Sequence, residues 1–186
     1  MSKVVQSRMS VEEFERLYLG KRAELWRGEV REYMPAGARH GKITATLTVH
    51  IGARLLNTRE GELFAAETGF VVRRGEESDV LAPDVAFIRR ERLPEGELPQ
   101  GFCRVVPDLV VEVVSPNDSY GEVRQKVADW LEGGVQVAWL IDPQQRVVEV
   151  WRSGGLEQTL REGDVLRGDP VLPGFELPLS EIFSEA

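Results

Sequence analysis

The run Leu109-Val110-Val111-Glu112-Val113-Val114 places one carboxylate inside a stretch otherwise made only of apolar, mostly β-branched residues. Such a run reads as a strand, and an ionised acid within it is costly unless it is paired or metal-bound. A second run of this kind, Asp84-Val85-Ala86-Phe87-Ile88, opens on an acid 28 residues before Glu112. On neighbouring strands these two carboxylates would form a hard, oxygen-rich site of the sort that Mg²⁺ occupies. The acids also need a cation, and lysine is sparse. Of four lysines, Lys3, Lys21 and Lys42 lie in the first quarter; only Lys126 comes later, on the helix expected after the Glu112 strand.

A chain of 186 residues is long enough to bury one core, and is read as a single domain over 1–186. Its core spans about residues 10–152, and 153–186 form a β-rich C-terminal extension. Hydrophobic residues make up 42% and charged residues 29%, as in ordinary globular proteins. No run of 18 apolar residues occurs, so no membrane span is expected. The first eight residues have no apolar stretch of signal-peptide length, which gives a cytoplasmic reading. One cysteine, Cys103, excludes an internal disulfide and a cysteine-based zinc site.

The net charge of −8 argues against a strongly held nucleic acid, because phosphate contacts need a basic footprint. The charge is uneven, however. Residues 1–60 carry 11 Lys+Arg against 7 Asp+Glu, and residues 61–186 carry 12 against 24. A basic N-terminal part suits weak DNA binding on one face, and equally suits complementary surfaces of an oligomer.

Ser10-Val11-Glu12-Glu13 reads as a capping box that starts a helix with Val11, Phe14, Leu17 and Tyr18 on its apolar face. Two short strands turn near Arg27-Gly28. Ile43, Leu47, Ile51 and Leu55 step by four and define a long amphipathic helix from Arg39 to Leu56. Strand-like runs follow at Leu63 to Arg73, Asp84 to Arg89 and Asp108 to Val114, with a surface loop from Leu93 to Gly101. Ser119 and Glu122 give a second capping box, and that helix ends at Gly133-Gly134. Val135 to Ile141 and Arg146 to Trp151 form a hairpin-like pair so rich in valine and tryptophan that burial against a partner is expected. Leu156 to Arg161, Val165-Leu166 and Phe175 to Leu177 are shorter strands, and a turn of helix starts at Ser180. This order gives an α/β sandwich with a central mixed sheet flanked by helices.

The ordered set Glu24-Leu25-Trp26-Arg27-Gly28-Glu29, Met34-Pro35 with Arg39-His40, Ala82-Pro83-Asp84-Val85-Ala86 and Pro107-Asp108-Leu109-Val110-Val111-Glu112-Val113-Val114-Ser115-Pro116 resembles a known family. Lys126, Gly133-Gly134-Val135, Trp139 to Pro143 and Leu172 to Phe175 continue it. The family is the Uma-type group of restriction-endonuclease-like proteins, within the PD-(D/E)XK nuclease superfamily. The resemblance implies a restriction-endonuclease-like fold and Mg²⁺- or Mn²⁺-dependent hydrolysis of DNA.

It also implies the site. Asp84 and Glu112, with the main-chain carbonyl of Val113, would hold the metal, and Glu67 is a further candidate ligand. The superfamily pattern sets lysine two residues after the acid, where this chain has Val114; Lys126 is placed to supply it from the next helix. Helical geometry sets Lys126 about 40° from Trp130 and 100° from Val127, at the border of the apolar stripe. Glu29, His40 and Gln125 are candidate supporting residues. Asp108 lies four positions before Glu112, about 13 Å along an extended strand and too far to share one small ion, so it reads as a strand-opening residue. Nothing marks His50 or Cys103 as reactive. A symmetric dimer or tetramer is expected of an enzyme that cuts both strands of a duplex. The alternative is a non-catalytic module of nuclease ancestry that binds DNA or other protein chains.

Overall fold

A computed structural model describes residues 9–93, 97–116 and 118–184 of the protein. Residues 94–96 of the expected surface loop, Asn117 and the first eight residues lie outside that range. The elements are α1 (Val11–Tyr18), β1 (Ala23–Trp26), β2 (Glu29–Glu32), α2 (Ala38–Thr58), β3 (Gly61–Ala65), β4 (Phe70–Arg74), β5 (Glu77–Leu81), β6 (Val85–Arg89), β7 (Leu109–Val113), α3 (Tyr120–Glu132), β8 (Val137–Asp142), β9 (Val147–Arg152), β10 (Gly155–Leu160), β11 (Val165–Arg167), β12 (Glu176–Pro178) and α4 (Leu179–Ile182). No described helix is long and apolar enough to cross a membrane.

Two sheets carry the fold. The larger is mixed, in the order β10-β9-β8-β7-β6-β3, with β7 and β8 parallel and the other neighbours antiparallel. The smaller has the order β2-β1-β5-β4. Side chains alternate across each strand, and this sorts β7 cleanly. Leu109, Val111 and Val113 pack with Ile43, Leu47, Ile51 and Leu55 of α2 and with Leu166, Leu172, Phe175 and Leu177 of the C-terminal segment. Val110 faces the opposite way, into the layer formed by Val127 and Trp130 of α3 and by Trp26 and Phe70 of the smaller sheet. Glu112 shares that parity and faces α3. On the far side of the smaller sheet α1 packs Phe14 against Leu25, Val71 and Val80.

Local signals explain the ends of several elements. Ser10 caps α1, its hydroxyl accepting the Glu13 N–H at 3.1 Å. Arg27 and Gly28 both have positive φ (54° and 79°), the geometry that lets a two-residue turn join β1 to β2. The long helix runs Ala38–Thr58 and buries the expected stripe.

Four expectations need correction. Leu63 to Arg73 is not one strand: it breaks at a turn where Glu67 takes φ 74°, and its halves, β3 and β4, join different sheets. β5 was not anticipated, because Glu77-Ser78-Asp79 conceals a strand whose buried polar residue is satisfied by arginine. Ser119 precedes α3 but its side chain makes no cap hydrogen bond. The β8–β9 pair owes its apolar richness to the chain's own core: β8 is buried throughout and β9 over its first four residues. These strands need no partner to cover them.

Candidate active site

Asp84 stands one residue before β6, and the pairing of Val85 with Val111 sets it opposite Glu112. Its N–H donates to the Val111 carbonyl at 3.0 Å, and its Oδ2 accepts the Val113 N–H at 2.7 Å. The two acids are therefore tied to the same end of adjacent strands. His40, in the first turn of α2, places Nε2 3.2 Å from Asp84 Oδ1. Burial works against a charged imidazole, but the hydrogen bond and charge of Asp84 outweigh it, so the His40 pKa is raised.

Glu112 is 6% exposed, and each of its oxygens has a partner. Lys126 Nζ lies 2.9 Å from Oε1 and 3.1 Å from Oε2, and Trp130 Nε1 donates to Oε1 at 2.7 Å. Lys126 and Trp130 are one helical turn apart, so α3 presents both to one carboxylate. The ammonium also donates to the Ala82 carbonyl at 3.1 Å and pairs with Glu24 Oε1 at 2.8 Å. Glu24 is 2% exposed; its second oxygen accepts from the Tyr33 hydroxyl.

One lysine is thus shared by two buried acids, with Asp84 alongside. Burial, and then the charges of Asp84 and Glu24, push the Glu112 carboxyl up to about 7 although Lys126 pulls it down. Burial by itself would lower the Lys126 pKa, but Glu112 and Glu24 together raise it above its ordinary value, so the ammonium stays charged. The Tyr33 hydroxyl is raised by burial and by Glu24.

A cleft of about 920 Å³ opens over this cluster. Glu24, His40, Asp84, Glu112, Val113 and Lys126 all line it. Glu67 lines it too, but from the β3–β4 turn, where it is exposed and pairs with Arg22. Glu29 and Gln125 are not brought to the cleft. Glu29 is exposed on β2, and Gln125 donates to Asp129 at 3.2 Å. Asp108 opens β7 as expected, fully buried and held by Arg92 at 2.8 Å and by the Arg89 N–H at 2.9 Å. His50 pairs with Glu181, and Cys103 is buried with its thiol pKa raised by that burial.

The residue that sequence reasoning missed is Glu24. The signal was present: Glu24 and Trp26 alternate with Leu25, so the face that buries Trp26 against the main sheet also carries Glu24 inward. Glu29, beyond the turn, attracted the acidic role instead.

A network beside the site fixes its two halves together. Asp129 of α3 accepts from Trp26 Nε1 at 2.6 Å and from Arg27 at 2.9 and 2.8 Å. The Arg27 N–H reaches Asp79, which also pairs with Arg74 at 2.6 Å. These contacts hold β1, and therefore Glu24, against α3.

The fold and the residues gathered at one end of its mixed sheet define a restriction-endonuclease-like α/β protein. The chain belongs to the Uma2 family, described as putative restriction endonuclease, which matches residues 11–180. It is similar to a crystal structure from Anabaena variabilis ATCC 29413, described as a putative nuclease belonging to DUF820. The two share 25% identity and a TM-score of 0.80, over 95% of this chain and 98% of that one. No curated protein matches the chain.

Proposed function

We propose that the protein is a divalent-metal-dependent endonuclease that hydrolyses DNA phosphodiester bonds. The observation that carries this reading is the gathering of three carboxylates at the cleft floor: Glu112 and Glu24 share Lys126, and Asp84, tied to the Val113 N–H, faces His40. Three carboxylates against one lysine and one histidine leave an excess that a divalent cation would offset. Among the described residues no three His, Cys, Asp or Glu side chains are grouped as a ready-made metal site. Mg²⁺ needs few protein ligands: one or two carboxylates hold it, and it keeps several waters. Asp84, Glu112 and the Val113 carbonyl would be its protein ligands.

When bound, such an ion lowers the pKa of a coordinated water and offsets charge building on the phosphate. The chain's own residues do the rest. Lys126, charged and clamped by two acids, sits where it can orient the attacking hydroxide and stabilise the developing negative charge. His40 holds Asp84 in place. The oxygen of the incoming hydroxide forms the new bond to phosphorus; the bond from phosphorus to the sugar oxygen breaks, and that oxygen takes up a proton. One end leaves as a phosphate monoester and the other as a hydroxyl.

The test uses purified protein with circular single-stranded and duplex DNA. Cutting should require Mg²⁺ or Mn²⁺, and Ca²⁺ should bind without efficient turnover because its looser coordination positions water poorly. Asp84→Ala and Glu112→Ala should each abolish cutting. Cutting that persists in Asp84→Ala means the site is misplaced; no cutting of any DNA by the wild type moves the reading to a non-catalytic module.

A further inference from the structure

We propose that the cleft takes an unpaired DNA strand, with its bases resting on Met34, Pro35 and Val49, in preference to an intact duplex. This rests on the nuclease reading above and concerns the strand state of the substrate.

Charge gives the first argument. Of the residues lining the cleft, Lys21, Arg22 and Lys126 are basic and six are acidic. Each of the three already has a partner. Lys126 lies between Glu24 and Glu112, Arg22 pairs with Glu67, and Lys21 Nζ sits 4.8 Å from the centroid of the Tyr18 ring. A duplex carries one negative charge per about 1.7 Å of axis, twice the density of either strand alone. An acidic cleft whose cations already have partners penalises the duplex more.

The second argument is the apolar lip. Met34 is 86%, Val49 66% and Tyr33 44% exposed, and all three line the same cleft as the carboxylates. Single exposed hydrophobic side chains are common on protein surfaces; a set from two elements converging on one polar site is not. Base faces are hidden within a duplex stack. An unpaired strand offers them, and aromatic or apolar side chains gain by covering them. The lip is also anchored to the site: the Tyr33 hydroxyl donates to Glu24, and its N–H donates to the Arg22 carbonyl at 2.9 Å. Bases laid on it bring the sugar-phosphate chain within reach of Asp84 and Glu112.

Fluorescence anisotropy in Ca²⁺ tests this with the full chain and three labelled probes: a short single strand, the matching duplex, and that duplex with an unpaired tail. The single strand and the tailed duplex should bind about tenfold tighter than the blunt duplex. The double variant Met34→Ser, Val49→Ser changes only exposed positions, so thermal melting should match the wild type, yet single-strand affinity should fall about tenfold. Duplex binding equal to or tighter than single-strand binding overturns the inference. So does a folded double variant that keeps its single-strand affinity. Asp84-dependent cutting without any strand preference would overturn this inference alone and leave the nuclease reading in place.

Discussion

Lys126 of α3 and Glu24 of the smaller four-stranded sheet meet with Nζ 2.8 Å from Oε1, both largely shielded from solvent. The lysine comes from α3, which packs on the main sheet, and the acid from the first strand of the smaller one. The site is therefore complete only when the two sheets are docked.

Glu24→Ala should destabilise the protein by about 3–5 kcal/mol, the usual cost of removing one partner from a buried ion pair. Tyr33 and the Ala82 N–H also lose their acceptor. Glu24→Gln keeps an acceptor oxygen for those donors and should lose distinctly less. Urea denaturation of both variants checks the order; equal losses would mean that the charge is immaterial.

Lys126→Ala should slow DNA cutting by about 100-fold or more, the scale of removing one preorganised donor from a developing charge. Its Mn²⁺ affinity, measured by isothermal titration calorimetry, should not fall, because the change removes a competing positive charge and no ligand. A variant that loses metal binding and cutting together would deny the lysine a role in the transition state.

Glu112 gives the metal-free protein a pH dependence of definite sign. Its carboxyl ionises at 4.5 by its ordinary value and is pushed up to about 7 in the fold by burial and neighbouring acids. Between those values the native state holds the extra proton. The contribution to stability is fully present below about 4.5 and is lost as pH rises through about 7. Wild-type stability relative to Glu112→Gln should thus decline from pH 5 to pH 8 in denaturant titrations. A constant difference across that interval would show that Glu112 keeps an ordinary pKa.

Asp129→Ala lies outside the cleft, yet it should cost about 3 kcal/mol, since the buried Trp26 indole N–H and the Arg27 guanidinium lose a charged acceptor. Cutting should also weaken, because β1 carries Glu24 and is held to α3 through this residue. Unchanged stability would mean that the network is redundant.

The elements legible in the sequence were those with a strong period or a strong stop. The four-residue step from Ile43 to Leu55 and the Gly133-Gly134 ending are purely local signals, and both appear in the fold. β5 was illegible because Asp79 is buried only thanks to Arg74 and the Arg27 N–H, partners that a one-dimensional reading does not supply. The same limit divides the site. Asp84, Glu112 and Lys126 were brought within one reading by acids set in apolar strand-like runs and by the family resemblance. Glu24 belongs to another sheet, and its approach depends on how the sheets stack.

Gly133 gives this packing a mechanical meaning. A Cβ at that position would lie 2.0 Å from Val72 Cγ1, so the end of α3 touches the smaller sheet with no room for even a methyl group. Lys126 stands seven residues back, about 10 Å along the helix axis. Any side chain at 133 forces Val72 or the end of the helix to shift, and a shift of the helix would carry along its length to the ammonium. A substitution far from the cleft would then mis-set the lysine while every residue of the site remained in place.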